Sequence, residues 1–417
     1  MKRQPGLRIA VVVFALGLSG HLVAGPLEAA NAALERGDYS TAVNLWRDLA
    51  QQGNAEAQNR LGWVYLNGRG VTQDDSMAVA WFRKAAEQGD AKAETNLGGM
   101  YAQGRGVAKD DAEAVRWIRK AAEQGQVEAI NNLGSMLAQG RGVTKDYTEA
   151  VRRFRQAAEQ GYAEGQSNLG AMYRDGLGVP QDDIAAVSWF RKGAEHGNAS
   201  AQTRLGYMYT AGRGVAKDDT EALRWFRQAA EQGDASAYTS LGTMYHAGRG
   251  VARDDTEASV WLRKAAEKGH AVAQYELGIF YVRGYGVAKD EVEAAHWIRK
   301  AAEQGGVLPQ VSVGEMYQYG RGVQKDEVEA VRWFRKAADQ GNARAQASLG
   351  YMYGGGLGVP RDDAEAVKWL RKAVEQGDAF GQANLGNMYE AGRSVPKDDE
   401  EAIRLYRKSA EQGHPIG

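Results

Sequence analysis

The chain has 417 residues, with 52 lysines and arginines against 53 aspartates and glutamates, so its formal net charge is −1. This balance argues against nucleic acid or an anionic membrane surface as the main ligand, because both bind best to a surface rich in lysine and arginine. The chain has no cysteine, which excludes disulfides, thiolate nucleophiles and zinc-thiolate sites.

Residues 1–24 have the pattern of a secretory signal peptide. Basic residues within the first eight positions precede an apolar run over residues 9–18, and small residues follow up to Ala24. A basic start, a short apolar core and a small-residue exit are typical of a cleaved leader, and we place the cleavage after Ala24. This predicts a periplasmic or secreted bacterial protein without membrane insertion after cleavage. The alternative is an uncleaved N-terminal segment that anchors the protein in a membrane.

A repeat of 36 residues fills most of the remaining chain. One glycine recurs at this spacing without insertion or deletion, at Gly62, Gly98, Gly134, Gly170, Gly206, Gly242, Gly278, Gly314, Gly350 and Gly386. A fixed period between about 20 and 50 residues indicates a solenoid, in which each unit packs mainly on its neighbours. We assign residues 27–53 to a divergent N-terminal helical pair, 54–413 to ten repeats and 414–417 to a tail.

Each repeat predicts two helices, which span about 91–103 and 111–124 in the second copy, because apolar residues recur there at helical spacing. Gly104 ends the first helix, and Asp110 caps the second. Glu113 completes a capping-box pattern that eight of the ten repeats share. The expected fold is therefore an all-α, right-handed superhelical solenoid of two-helix repeats.

Further regular positions predict packing and surface pairing. Trp117 has tryptophan counterparts in seven other repeats, and we expect them to fill the interior. Arg119 is arginine in all ten repeats with an acidic residue four positions later, which predicts weak ion pairs along one helix. The eighth repeat differs because Pro309 stands in the first helical turn, where we expect it to shorten or shift the helix start.

The repeat resembles the Sel1-like repeat, a relative of the tetratricopeptide class. The resemblance lies in the pattern A-x-A-Q-x-x-L-G-x-M-Y-x-x-G-x-G-V-x-x-D-x-x-x-A-x-x-W-F-R-K-A-A-E-Q-G, and it covers residues 54–413. It implies a non-catalytic adaptor that binds proteins and needs no cofactor. Exported bacterial members resemble regulators, assembly scaffolds or host-interaction factors. A cysteine-rich branch linked to β-lactam binding does not apply here, because this chain has no cysteine.

Other residue patterns that suggest chemistry are better explained by structure. The repeated Gly-Arg-Gly-Val segment is a turn, not a phosphate loop, because aspartates already occupy the helix start that follows. Paired acids such as Asp74 and Asp75 are caps, since calcium needs six or more oxygen ligands. The six histidines stand at unlike repeat positions. We therefore predict no catalytic, metal or cofactor site.

The first helices carry a set of positions that vary between repeats. These positions are equivalent to residues 56, 59, 63, 66 and 67 and lie on one side of the helix, opposite the fixed residues. We call this set the variable face, and in the related tetratricopeptide fold it lines the concave groove. Its large apolar residues include Val282 and Val311, and those that we predict to contact a partner are Trp63, Tyr207, Val272, Tyr275, Ile279, Leu308, Tyr319, Tyr351 and Phe380.

Exposed apolar patches often mark binding sites, so these residues predict a site for a protein or peptide partner, mainly within residues 270–385. The alternative is that they pack against neighbouring helices. The preferred function is an adaptor or scaffold in envelope regulation or host interaction. A self-associating structural scaffold is the second hypothesis. A cell-envelope glycan hydrolase is the third, although no acid pair or nucleophile stands outside the repeat pattern. The oligomeric state stays open.

Overall fold

The computed structural model describes residues 25–413, and all the regular structure within this range is helical. α1 (Pro26–Glu35) and α2 (Tyr39–Gln51) form the N-terminal pair. The first helices of the ten repeats are α3 (Ala55–Asn67), α5 (Ala91–Gln103), α7 (Val127–Gln139), α9 (Ala163–Asp175), α11 (Ala199–Ala211), α13 (Ala235–Ala247), α15 (Ala271–Arg283), α17 (Val307–Tyr319), α19 (Ala343–Gly355) and α21 (Ala379–Ala391). The second helices are α4 (Asp75–Glu87), α6 (Asp111–Glu123), α8 (Tyr147–Glu159), α10 (Asp183–Glu195), α12 (Asp219–Glu231), α14 (Asp255–Glu267), α16 (Glu291–Glu303), α18 (Glu327–Asp339), α20 (Asp363–Glu375) and α22 (Asp399–Glu411).

The helices belong to two compact units. The first unit contains the described residues up to Tyr162 together with 177–179, and the second contains 163–176 and the chain from Pro180 onward. Within each unit a first helix packs against the second helix of its own repeat, which in turn packs against the first helix of the next repeat. This is the pattern of an all-α solenoid. The predicted leader, residues 1–24, lies outside the described residues.

The ends of the helices are set by the residues that the sequence indicates. Gly104 has a φ of +69° at the end of α5, where its N–H bonds to the carbonyl of Met100. At the start of α6 the Asp110 carboxylate accepts from the N–H of Glu113. The expected return bond from the Glu113 carboxylate to the backbone N–H of Asp110 is wrong. The Glu113 carboxylate instead accepts from the guanidinium of Arg116, at 2.8 Å.

Small residues bring the two helices of a repeat close together. A Cβ atom at Gly98 would lie 2.6 Å from Cγ1 of Ile118, so only glycine fits between α5 and α6 at this distance. Ala114, on the facing helix, is fully buried. The core between the helices is then filled by larger residues such as Leu97 and Met100. Close packing of this kind tolerates little change in side-chain volume.

The repeated arginine of the second helix joins consecutive repeats. Arg83, the counterpart of Arg119, donates to the hydroxyl of Tyr101 in the next repeat, at 2.8 Å. This corrects the expected pairing with the acid four positions later. Arg119 has no such partner because Leu137 stands at the tyrosine position. The same contact recurs in the second unit at Arg191–Tyr209, Arg227–Tyr245, Arg263–Tyr281, Arg335–Tyr353 and Arg371–Tyr389.

The Gly-Arg-Gly-Val segment is a second joint between repeats. Arg105 bonds to the carboxylate of Asp75 in the preceding repeat, at 2.7 and 3.1 Å, and this contact lowers the pKa of Asp75. Gly106 has a φ of +65°, and a side chain there would overlap the carbonyl of Asp75. The equivalent ion pairs are Arg141–Asp111, Arg213–Asp183, Arg249–Asp219 and Arg393–Asp363. The segment is therefore a structural turn, as expected.

A buried glutamine forms a third joint. Gln58 donates from Nε2 to the carbonyl of Ala50 at 3.0 Å, and its Oε1 accepts from Gln88 at 2.7 Å. In the second repeat the same position is Glu94, which is only 2% exposed and accepts from Gln124. Burial raises the pKa of the Glu94 carboxyl. A glutamate there cannot donate to the backbone carbonyl while it is ionised.

The expected effect of Pro309 is wrong. α17 begins at Val307, at the same repeat position as the other first helices, and Pro309 is buried in its first turn. The N–H groups of a first turn have no intrahelical acceptor, so a proline there removes no helical hydrogen bond.

Among residues 25–413 we find no helix that is both long and apolar enough to cross a membrane.

Candidate partner-binding face

The variable face is exposed in most repeats at the positions equivalent to 56 and 67, but it is not exposed throughout. Thr95 is 4% exposed, although the sequence suggested that its position is free of packing. The reason is contact between consecutive first helices, as when Asn59 accepts a hydrogen bond from Asn96 at 3.1 Å. In the second unit Thr203 likewise bonds to Asp234, which caps the next first helix. The positions equivalent to 59 therefore belong to the joint between repeats.

Repeats seven and eight carry the most exposed apolar residues predicted for this face. Val272 is 56% exposed, Leu308 61% and Tyr319 57%. Tyr275 and Ile279 are half-buried and pack against the core cluster that contains Leu277 and Phe280, so part of their apolar surface is accounted for by packing. The hydroxyl of Tyr275 also lies 3.4 Å from Ser312 Oγ. Val272, Leu308 and Tyr319 are thus the predicted residues that packing explains least.

Three further predicted residues lie elsewhere in the second unit. Tyr207 is 44% exposed, with its ring edge against Phe226 and its hydroxyl accepting from Ser240 at 2.9 Å. Tyr351 is 39% exposed, and its ring lies 5.6 Å from the half-buried ring of Phe380. The structure therefore brings Tyr351 and Phe380 together as one aromatic pair from consecutive repeats.

Trp63 belongs to the first unit, on α3, and is 39% exposed. Its backbone carbonyl accepts from the side-chain amide of Asn67. No other predicted site residue lies in the first unit.

Ionisable residues near the variable face have structural partners. Nδ1 of His246 lies 2.6 Å from Oδ1 of Asp255, and the imidazole is flanked by the rings of Phe280 and Tyr285. The sequence did not predict this pairing. Tyr285 stands where most repeats have the arginine of the Gly-Arg-Gly-Val segment, and Asp255 is bonded instead by His246 and by the guanidinium of Arg253, at 2.7 Å. Within residues 25–413 no group of three or more His, Asp or Glu side chains could hold a metal ion.

Sequence reasoning also missed polar residues between α19 and α21. Asn384 and Asn387 lie beside Tyr351 and Gly354 around a cavity of about 160 Å³. Each of these residues looks ordinary within its own helix. Only the packing of α19 on α21 brings them together, and a pattern within one repeat cannot reveal this.

Comparison with known proteins gives a family for the whole repeat region. A sequence model described as the Sel1 repeat matches ten consecutive segments, at residues 55–90, 91–126, 127–162, 163–198, 199–234, 235–270, 271–306, 310–342, 343–378 and 379–414. The comparison with curated proteins gave no match.

Two crystal structures are similar to this chain over most of its length. One is c5321, a protective antigen present in uropathogenic Escherichia coli strains that displays an SLR fold. It is 42% identical, the alignment covers 89% of this chain and 79% of that one, and the TM-score is 0.64. The other is a Sel1 repeat protein from Oxalobacter formigenes, with 36% identity, 76% and 94% coverage and a TM-score of 0.56. Solenoids of this kind typically serve protein interactions. With ten matched repeats and two similar structures, the chain belongs to the Sel1 repeat family.

Proposed function

We propose that this protein is an exported, non-catalytic adaptor that binds a protein or peptide partner on the variable face of repeats seven to ten. The observation that carries the proposal is the exposure of Val272, Leu308 and Tyr319, each more than half accessible to solvent. Full burial of a side chain of this size stabilises a complex by about 1.5–3 kcal/mol. A partner that covers these residues therefore buries apolar surface that is exposed in the free protein.

Export rests on two further observations. The basic and apolar pattern of residues 1–24 is that of a secretory leader. The similar E. coli protein is a protective antigen, which supports a location outside the cytoplasm for this chain as well. Cell fractionation and mass spectrometry of the mature N-terminus test the point. We expect a periplasmic or secreted protein that begins at Gly25. A cytoplasmic protein that retains the leader would contradict export.

The partner can be trapped by placing a photoreactive amino acid at Leu308 or Tyr319 in the full chain, within the source organism. The control position is Ile184 on α10, which is 73% exposed but lies on a second helix. We expect crosslinks to one protein from positions 308 and 319 and none from 184. Equal crosslinking from all three positions would contradict a specific face.

Affinity for the trapped and purified partner then provides the decisive comparison. Leu308→Ser and Tyr319→Ser change exposed residues, so we expect the variants to fold as the parent does and to bind at least tenfold more weakly. Ile184→Ser should bind as the parent does. Light scattering of the purified chain alone tests the alternative. A molecular mass that rises with protein concentration would favour a self-associating scaffold over the adaptor.

A further inference from the structure

The cavity between α19 and α21 has a composition that none of the joints between repeats explains. Its volume is about 160 Å³, roughly that of five water molecules at about 30 Å³ each. Leu370 and Met388 contribute apolar atoms to its lining, which also carries polar groups. Its lining includes Tyr351, Gly354, Asn384, Asn387 and Arg393.

Gly354 keeps this cavity open. It lies in the last turn of α19, where glycine is less favourable than alanine. A Cβ atom there would meet Ala366 Cβ at 3.6 Å and a guanidinium nitrogen of Arg393 at 3.7 Å, which are ordinary contact distances. Packing between the helices therefore does not require a glycine at this position. What the missing side chain provides is space.

The rim offers a hydrogen-bond donor and an acceptor. The hydroxyl of Tyr406 lies 2.6 Å from Oδ1 of Asn387 and 2.7 Å from the carboxylate of Glu390, and the side-chain N–H groups of Asn387 have no partner among residues 25–413. Asn384 donates to the carbonyl of Phe380 at 2.7 Å, and its side-chain oxygen likewise bonds to no residue of that range. A free amide donor beside a free amide acceptor matches the N–H and C=O groups of a peptide main chain.

The equivalent place between α11 and α13 is a natural comparison. That cavity has a volume of about 200 Å³, but its hydroxyl groups already have hydrogen-bond partners within the protein. Tyr207 accepts from Ser240, and Thr210, which stands at the position of Gly354, donates to the carbonyl of Tyr207. The two cavities share a location and differ in whether their polar groups are free.

Charge argues for a neutral ligand. The guanidinium of Arg393 is engaged by the carboxylate of Asp363, with an Nε to Oδ2 distance of 3.1 Å, and it also bonds to the carbonyl of Gly354. Its Nε and Nη2 groups are therefore already used within the protein. The remaining lining is aromatic, aliphatic or amide in character.

We propose that this cavity receives one aliphatic side chain of an extended peptide, while Asn384 and Asn387 bond to the main chain of the same residue. A four-carbon side chain such as leucine fills the space, and the apolar wall of Tyr351, Leu370 and Met388 covers it. The inference rests on the proposed adaptor function and specifies the chemistry of the partner.

Capped tripeptides test the site in the full chain. The probes are acetyl-Ala-Leu-Ala-amide and acetyl-Ala-Gly-Ala-amide, and the readout is the NMR signals of the Asn384 and Asn387 side-chain amides. We expect a saturable shift of both signals with the leucine probe and at least tenfold weaker binding of the glycine probe. No shift, or the same affinity for both probes, would overturn the proposal.

Gly354→Ala separates binding from folding. Alanine fits without a clash and favours the helix, so the urea midpoint should rise or stay unchanged while binding of the leucine probe falls at least tenfold. Thr210→Ala, in the other cavity, should leave binding unchanged. Normal binding by the Gly354→Ala variant would overturn the site.

The results also distinguish this inference from the adaptor function. If partner binding depends on Leu308 and Tyr319 but the leucine probe does not bind, the result contradicts the cavity proposal and leaves the adaptor function intact. Binding of the leucine probe with a partner that is insensitive to Leu308 and Tyr319 would contradict the exposed face of repeats seven and eight alone.

Discussion

Arg83 donates a hydrogen bond to the hydroxyl of Tyr101 across 2.8 Å and thereby joins the second helix of one repeat to the first helix of the next. The two residues are 18 positions apart, so every repeat that has both residue types can form the same joint. Where this bond forms, contact with the following repeat explains the arginine, and the weak ion pair within its own helix is not needed to explain it.

We expect Tyr101→Phe to destabilise the protein by about 1 kcal/mol, because the change removes a partly buried hydrogen bond to a charged donor without altering the ring. The matched control is Glu87→Gln, which removes the acid four positions after Arg83. A surface pair of that kind contributes only a few tenths of a kcal/mol. Urea unfolding followed by circular dichroism measures both variants. An equal loss in the two variants would contradict the assignment of Arg83 to Tyr101.

Ser394 carries local strain. It has a φ of +53° and is the one non-glycine residue with positive φ among residues 25–413, at a position where other repeats have glycine. A left-handed conformation costs a residue with a side chain roughly 1–2 kcal/mol. Ser394→Gly should therefore stabilise the last repeat by about 1 kcal/mol, seen as slower amide exchange in α21 and α22, whereas Ser394→Ala should not. Faster exchange in the glycine variant would show that the strain is absent.

Glu94 should make stability fall as the pH rises. Its pKa is raised by burial above the ordinary value of 4.5, so the folded state holds the proton more tightly than the unfolded state does. The stabilising effect of that proton is complete below the unfolded pKa and is lost as the pH rises through the folded pKa. Glu94→Gln supplies a permanent donor, as Gln58 does, and should stabilise the protein by about 1 kcal/mol at pH 7.

The measurement for Glu94 is the urea midpoint of the parent chain and of Glu94→Gln between pH 4 and pH 8. The advantage of the glutamine variant should grow with pH. An advantage that is constant across this range would mean that Glu94 does not change its protonation on folding.

Asp363 should act in the opposite direction. The guanidinium groups of Arg393 and Arg361 hold its pKa below the ordinary value of 3.8. Its contribution is therefore present above pH 3.8 and lost as the pH falls below it. Asp363→Asn should cost about 1 kcal/mol at pH 7 and progressively less towards pH 2. Asp399→Asn is the control, because Asp399 is 66% exposed and, within residues 25–413, pairs only with Lys397. Equal costs for the two variants at pH 7 would contradict the role of the arginines.

Much of the fold could be predicted from the sequence because its determinants are local. The predicted first helix over 91–103 agrees with α5, and Gly104 and Asp110 end and begin the helices as expected. The joints between repeats could not be predicted in this way. Helical periodicity gives the face on which a residue such as Arg83 lies, but it does not give the register of that face against the next repeat.

The candidate site was predictable to a similar extent. The sequence correctly indicated positions that remain exposed, such as Leu308 and Tyr319, because the repeat pattern leaves them variable. It did not predict that Thr95 is buried, because contact between consecutive first helices depends on the curvature of the stack. The cavity beside Gly354 was missed for the same reason, since its lining residues come from two repeats.

The most direct test of the central claim is the affinity of a purified partner for the parent chain, for the double variant Leu308→Ser, Tyr319→Ser and for Ile184→Ser. The adaptor on the variable face predicts at least a tenfold loss in the double variant, with all three proteins equally folded, and no loss in Ile184→Ser. Equal affinity of all three chains would contradict it.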